Sequence, residues 1–469
     1  MLNARLNAVI AANRFGLGAR QDELSKISND PQGWLNAQVE GARATPEAIA
    51  QLATSPQAFK VFSDFIREKR ELKKDDLAKT DAREELTPAR KAIRDTYLSQ
   101  VAARYEVATF SEEPFRERLV HFWSNHFAVS VDKFVVSTLA GTMENEAIRP
   151  NLHGHFYDLL VAAESHPAMI LFLDNQASIG ADSRLAQLAH RRGKNRRKLD
   201  INENLAREIL ELHTLGVNGG YTQQDVTRFA RVLTGWSVGG GQGFFKTGEQ
   251  GAFVFRDNLH EPGSQTILGK RYAQQGVDQP LAVFRDLSRH PATAHFIATK
   301  LVRHFVADDP PAKAVDHVAT VFRDTEGHLP SVHQAVVSCK EAWIQVSPKF
   351  KTPNDYVIST FRAFDFIPPQ PQRIFASFEL LGQRPYTPGS PAGWPDTASQ
   401  WDGPDALMKR IEWANQVAQR AGSRFVPVEL AQRTLGGALS EHTQLAIDNA
   451  ADAVQGITLW LASPEFLRR

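Results

Sequence analysis

A mainly α-helical protein is what this sequence predicts, on three observations. Apolar residues recur at 3.6-residue spacing in stretch after stretch, several of those stretches open on helix-start residues, and strand-like runs are confined to one glycine-rich interval at 237–270. From Thr87 to Tyr105 the apolar positions Ile93, Tyr97, Val101 and Tyr105 are separated by charges, the stripe of a helix that packs by one face. Just before it, 67–85 (REKRELKKDDLAKTDAREE) is almost wholly charged and mixed in sign, which predicts an exposed helix or a mobile insert. Further helices are expected over Glu113–Phe127, Phe156–Ala163, Glu203–Leu215, Thr222–Thr234, Ala292–Val306, Pro330–Trp343, Pro404–Ala421 and His442–Ala462. Thr222 with Asp225 makes a near capping box, and Pro291 and Pro404 stand where helices begin. Between 237 and 270 glycines surround FVF at 253–255 and TIL at 266–268, so a small hairpin or structured loop interrupts the helices. A Pro/Gly-rich stretch at 381–404 holds two tryptophans, which favours a loop folded on the body over a linker. No internal repeat divides the chain, and one helical domain over 1–469 is expected.

Composition narrows the function classes. The 469 residues carry 54 Lys+Arg against 53 Asp+Glu and are 42% hydrophobic, which excludes a nucleic-acid grip through overall charge, a disordered chain and a collagen-like repeat. Cys339 is the single cysteine, so neither an internal disulfide nor a cysteine zinc cluster forms within one chain. No apolar run reaches eighteen residues, and no membrane association is expected. The first twenty residues lack the apolar core of a leader, so the chain as written reads as cytoplasmic, with a periplasmic home open if its start is truncated. The basic run at 190–198 reads as a solvated loop, because no aromatics are interleaved for stacking on bases, and nucleic acid is an improbable partner.

Several short matches to catalytic motifs fail on context. Gly235-Trp-Ser-Val-Gly239 imitates a nucleophile elbow, but it follows a helix and runs into more glycines instead of leading from a strand into a helix. The glycines at 239–241 and 243 lack the strand before and the Gly-Lys-Ser/Thr ending of a phosphate loop, and no H-E-x-x-H occurs. Helix faces are more informative. On Phe115–Phe127, His126 falls on the stripe of Phe115, Leu119 and Phe122 and is expected to be buried, whereas His121 shares the polar side with Arg118 and Asn125. A buried neutral imidazole must match both ring nitrogens, through hydrogen bonds or a metal. On Glu203–Leu215, Glu208 and His213 lie on opposite edges of the apolar stripe, so a divalent metal would need one of them with partners such as His126, Asp225 or His260. Helix capping is the competing reading for Asp225.

Longer strings carry a resemblance. NENLAREILELHTLGVNGGYTQQDVTRFARVLTGWS (202–237), PFRERLVHFWSNHFAVS (114–130), HPAMILFLDNQASIG (166–180), ATAHFIATKLVRHFV (292–306) and GWPDTASQW (393–401) look like a large bacterial family known as domain of unknown function 1800. The resemblance spans nearly the whole chain and implies a predominantly helical protein without implying a reaction. It also implies a possible neighbouring partner that resembles a phosphatase or sulfatase. Two function classes follow. One is an enzyme, hydrolytic or redox, with or without a divalent metal, with Glu208, His213 and His126 as catalytic groups and Asn204, Arg207, Trp236, His260, Trp394 and Asp396 lining the substrate site beneath the 237–270 loop. The other is a helical scaffold or accessory protein, whose polar motif residues fix helix register.

Overall fold

The computed structural model describes residues 2–74, 87–191, 201–241, 246–344 and 349–469. Residues 75–85 of the charged segment and 192–198 of the basic run lie outside them. Among the described residues there are 23 α-helices and two small antiparallel sheets of two strands, so the protein is mainly α. The first sheet pairs β1 (Trp236–Val238) with β2 (Phe253–Phe255), and the second pairs β3 (Gln265–Ile267) with β4 (Lys270–Tyr272). Both fall in the glycine-rich interval or at its border. No helix of the described residues is long and apolar enough to cross a membrane.

Proline is the commonest helix opener: Pro88, Pro114, Pro291, Pro353 and Pro404 all stand in the first turn, where the missing N–H costs nothing. Thr222 and Asp225 close a reciprocal capping box at the Gln223–Val232 helix. Two expected helices are broken, each for a local reason. The 203–215 stretch is an α-helix only over Asn204–Glu208 and then a π turn over Ile209–Thr214, where the Thr214 hydroxyl donates to the Ile209 carbonyl five residues back at 2.6 Å. The π turn shifts the phase of every later side chain, which takes His213 off the stripe border and into the interior. The 442–462 stretch divides into Glu441–Asp448 and Ala453–Leu461, because the Asp452 carboxylate accepts from Gln455 N at 2.8 Å and starts a new helix.

One hydrophobic cluster runs from Ala8 to Leu467 and includes Trp123, Phe156, Phe305 and Trp460. The helices Pro88–Phe110, Pro114–His126, Pro291–Phe305 and Pro353–Phe364 each give it one face and leave a polar edge pointing toward a common space. The 383–396 segment roofs that space. Asn125 pins the roof by accepting from Trp394 N at 2.7 Å and donating to Trp394 O at 2.9 Å. Gly393 is required at this clip: its φ is +82°, and a Cβ there would stand 2.3 Å from the Asn125 carbonyl oxygen.

Candidate functional site

The space between these elements is a cavity of about 260 Å³. Its lining is basic: Arg104, Arg118, Lys300, Arg303 and Arg384 face it, against the carboxylates Asp355 and Asp396. Three of the arginines are in ion pairs, Arg118 with Asp355 at 2.9 Å, Arg104 with Glu144 at 3.2 Å and, at the exposed edge, Arg384 with Asp132 at 3.4 Å. Tyr386 sits under Arg104, 4.8 Å from ring centre to guanidinium, in a left-handed backbone conformation (φ +54°) that a tyrosine rarely adopts.

Three histidines line the cavity, and their partners fix their tautomers. His304 Nδ1 lies 2.5 Å from Asp396 Oδ2, so Nδ1 holds the proton and Nε2 presents a lone pair. His126 Nε2 lies 3.1 Å from the His213 carbonyl, so it donates there and leaves Nδ1 with the lone pair. His121 Nδ1 accepts from the Asn354 amide at 3.3 Å, which leaves its Nε2 as a donor. The second nitrogens, His304 Nε2, His126 Nδ1 and His121 Nε2, are all buried and have no hydrogen-bond partner among the described residues. Desolvation by burial lowers all three imidazoles, opposed at His304 by the Asp396 charge, which leaves it at about 4. At neutral pH all three are therefore uncharged.

Asp396 is held ionised. Burial would raise it, but His304, Lys349 and Arg469 outweigh burial and keep it below the usual carboxylate range. Arg469, its side chain fully buried, ties the base of the site together. It lies 2.8 Å from Asp355 Oδ2 and 3.4 Å from Asp396 Oδ1, and donates to the His304 carbonyl at 2.9 Å. Asp355 is pulled up by burial and down by Arg118 and Arg469, which hold it at about 2.

These neutral histidines make stability depend on pH. A histidine whose folded pKa lies below its unfolded value gives the unfolded chain the greater proton affinity between the two, so stability is full above about 6.5 and falls as pH falls toward 4. His304 alone is expected to cost about 3 kcal/mol over that window. The melting temperature measured from pH 7 to pH 4 checks this, and a flat profile would contradict neutral burial.

The structure separates the residues proposed from sequence. His126, Trp394 and Asp396 line the cavity. His213 stands behind His126, with ring centres 5.9 Å apart and Phe127 packed against both. It is fully enclosed and meets Glu164 at 2.7 Å, an approach outside hydrogen-bond angles that leaves the side-chain nitrogens and oxygens of this pair without an aligned partner. Glu208 is half-buried beside it and does not reach the cavity; burial raises its carboxyl, with the His213 charge opposing. Asn204 is exposed, and Arg207 bonds Glu203 and Gln223. Trp236 is buried against Phe253 and Phe284, and His260 Nδ1 lies 2.9 Å from the Thr234 carbonyl. Asp225 caps its own helix and accepts from Leu268 N at 2.8 Å. Among the described residues no group of three or more His, Cys, Asp or Glu has the geometry to hold a metal ion. The 237–270 loop packs on the Pro167–Phe172 and Gln223–Val232 helices, so the cavity is roofed by 383–396 in its place.

His121, Lys300 and His304 belong to the cavity and sequence reasoning did not place them there. The available signal was the spacing Lys300, Arg303, His304, three basic groups on one edge of a helix. Ser237, the serine of the elbow-like match, is buried on β1 and accepts from Arg256 at 3.1 Å.

Helices that bring imidazoles and cations around one cavity define the class: a mainly α protein with a small, basic pocket. The sequence profile of the family described as "Protein of unknown function (DUF1800)" matches residues 10–468, and the chain belongs to that family. Comparison with curated proteins and with solved structures gave no match.

Proposed function

We propose that this protein is an enzyme that carries out general acid–base chemistry on a small anionic substrate bound in the cavity. The observation that carries this reading is the set of three uncharged imidazoles that line one basic cavity, each with one nitrogen unmatched among the described residues. A buried polar group left without a partner costs roughly 1–3 kcal/mol. Three on the lining of one cavity support a ligand as the missing partner. A scaffold that used these groups to fix helix register would match them to one another.

In this reading His304 Nε2 is the general base, oriented by Asp396. His126 Nδ1 is a second acceptor, and His121 Nε2–H donates to a substrate oxygen. Arg303 and Arg384 supply positive charge at the edge of the cavity, and the Trp394 roof restricts water. The cavity, of about 260 Å³, suits a substrate of a few carbon atoms with a carboxylate, phosphate or sulfate group.

Binding tests it directly. Inorganic phosphate, sulfate, small carboxylates and small phosphate esters are titrated against the protein while the melting temperature is followed. At a hundred times its Kd, a bound anion raises stability by about 2.7 kcal/mol. The Arg303→Ala, Arg384→Ala double variant is expected to lose at least tenfold in affinity. If every anion leaves the melting temperature unmoved at millimolar concentration, the reading fails.

A further inference from the structure

Lys300 stands one turn before His304 on the Pro291–Phe305 helix and lines the same cavity. Its Nζ makes no hydrogen bond or ion pair with any described residue and lies 5.7 Å from the ring centre of Phe296. A partly buried ammonium ordinarily takes a carboxylate. Here the carboxylate that acts on it, Asp396, is already committed to His304, Lys349 and Arg469. Burial lowers the amine to about 8, Asp396 opposing and Arg303 reinforcing, so a fraction is uncharged at neutral pH. Lys300 also acts on His126, whose Nδ1 is without a partner. His304, on its own helix, and His126 line the same cavity, and each has one imidazole nitrogen without a partner among the described residues.

We propose that Lys300 is a nucleophile that condenses with the aldehyde or ketone carbon of a small carbonyl acid to form an imine. The uncharged Nζ attacks the carbonyl carbon, forming the C–N bond while the C=O π pair moves to oxygen. The nitrogen gives a proton to His304 Nε2 or His126 Nδ1, and that imidazolium passes it to the alkoxide oxygen, so a neutral carbinolamine and a neutral imidazole result. The same imidazole then takes the remaining N–H proton and delivers it to the hydroxyl, which leaves as water as C=N forms, so amine plus carbonyl becomes imine plus water with no oxidant or reductant consumed. Arg303 and Arg384 hold the substrate's anionic group, and the inference rests on the reading of this cavity as a site for small anions.

Borohydride trapping tests it. The full chain is incubated with glyoxylate or pyruvate at pH 7.5 and reduced with sodium borohydride, and the adduct is located by peptide mass spectrometry. Lys300 is expected to be labelled at least tenfold faster than the exposed Lys313 and Lys409, with labelling of residue 300 lost in Lys300→Arg and slowed in His304→Ala. Labelling of Lys300 no faster than these surface lysines, with both carbonyl acids, overturns the proposal. Lys300→Arg keeps the charge, so phosphate binding in that variant separates the two ideas. If phosphate still raises the melting temperature while Lys300 is not trapped, the nucleophile fails and the anion site stands; if neither occurs, both fail.

Discussion

Replacing Asp355 with alanine is expected to destabilise the protein by about 3–5 kcal/mol, the cost of leaving buried charge uncompensated. Asp355 is the anion shared by two guanidinium groups, Arg118 at 2.9 Å and Arg469 at 2.8 Å, with side-chain exposures of 2% and 0%. Neither cation reaches water when the carboxylate is removed. Arg469 keeps the His304 carbonyl and the Asp396 carboxylate at 3.4 Å, but Arg118 keeps only the Gly16 carbonyl, and a neutral acceptor does not offset an enclosed charge. The contrast is Asp64, paired with Lys60 on an exposed helix face at 2.7 Å, where Asp64→Ala is expected to change stability by less than about 1 kcal/mol. Urea unfolding of both variants decides it. A loss of under 1 kcal/mol at Asp355 would mean that the two arginines find other partners, and the rigid floor assigned to the cavity would be wrong.

The fold was legible because helix patterning is local, whereas the site was legible only where a single helix carried the information. The apolar stripe that marks His126 for burial needs only its own thirteen-residue helix. The same stripe put His121 on the polar side, and it says nothing about a polar side buried by other elements. Glu117, one turn earlier, is paired with Arg149 at 2.5 Å, and Arg118 with Asp355 from a helix more than two hundred residues away. The resemblance brought in Trp394 and Asp396, which no periodicity singles out, but His304 sits in a helix whose pattern reads as ordinary amphipathic packing. Phase arguments at 100° per residue also fail where the helix is not α. The π turn at Ile209–Thr214 sends His213 inward, while Glu208, just before it, stays half-buried. Their spacing put them on opposite edges of the apolar stripe, and the backbone places one behind the cavity and the other outside its lining.

Exchange of His304 for alanine is expected to lower turnover of an anion accepted by the cavity by 10²–10⁴, the usual worth of a positioned general base. Removing an imidazole that is only a packing group would instead show in stability, so kcat/KM and melting temperature are measured together. The sharper experiment is Asp396→Asn. The carboxylate can only accept, and its 2.5 Å contact fixes the proton on Nδ1 and the lone pair on Nε2. An asparagine amide can turn its N–H toward Nδ1, which moves the proton to Nε2 and abolishes the base while keeping the ring in place. Nitrogen chemical shifts of His304 report this without any substrate: at pH 7 the native ring should be neutral with Nε2 unprotonated, and the variant should show the opposite tautomer. Activity should then fall nearly as far as in His304→Ala. Should the native ring be protonated at neutral pH, or carry its proton on Nε2, His304 cannot serve as the base and the acid–base reading of the cavity would be abandoned.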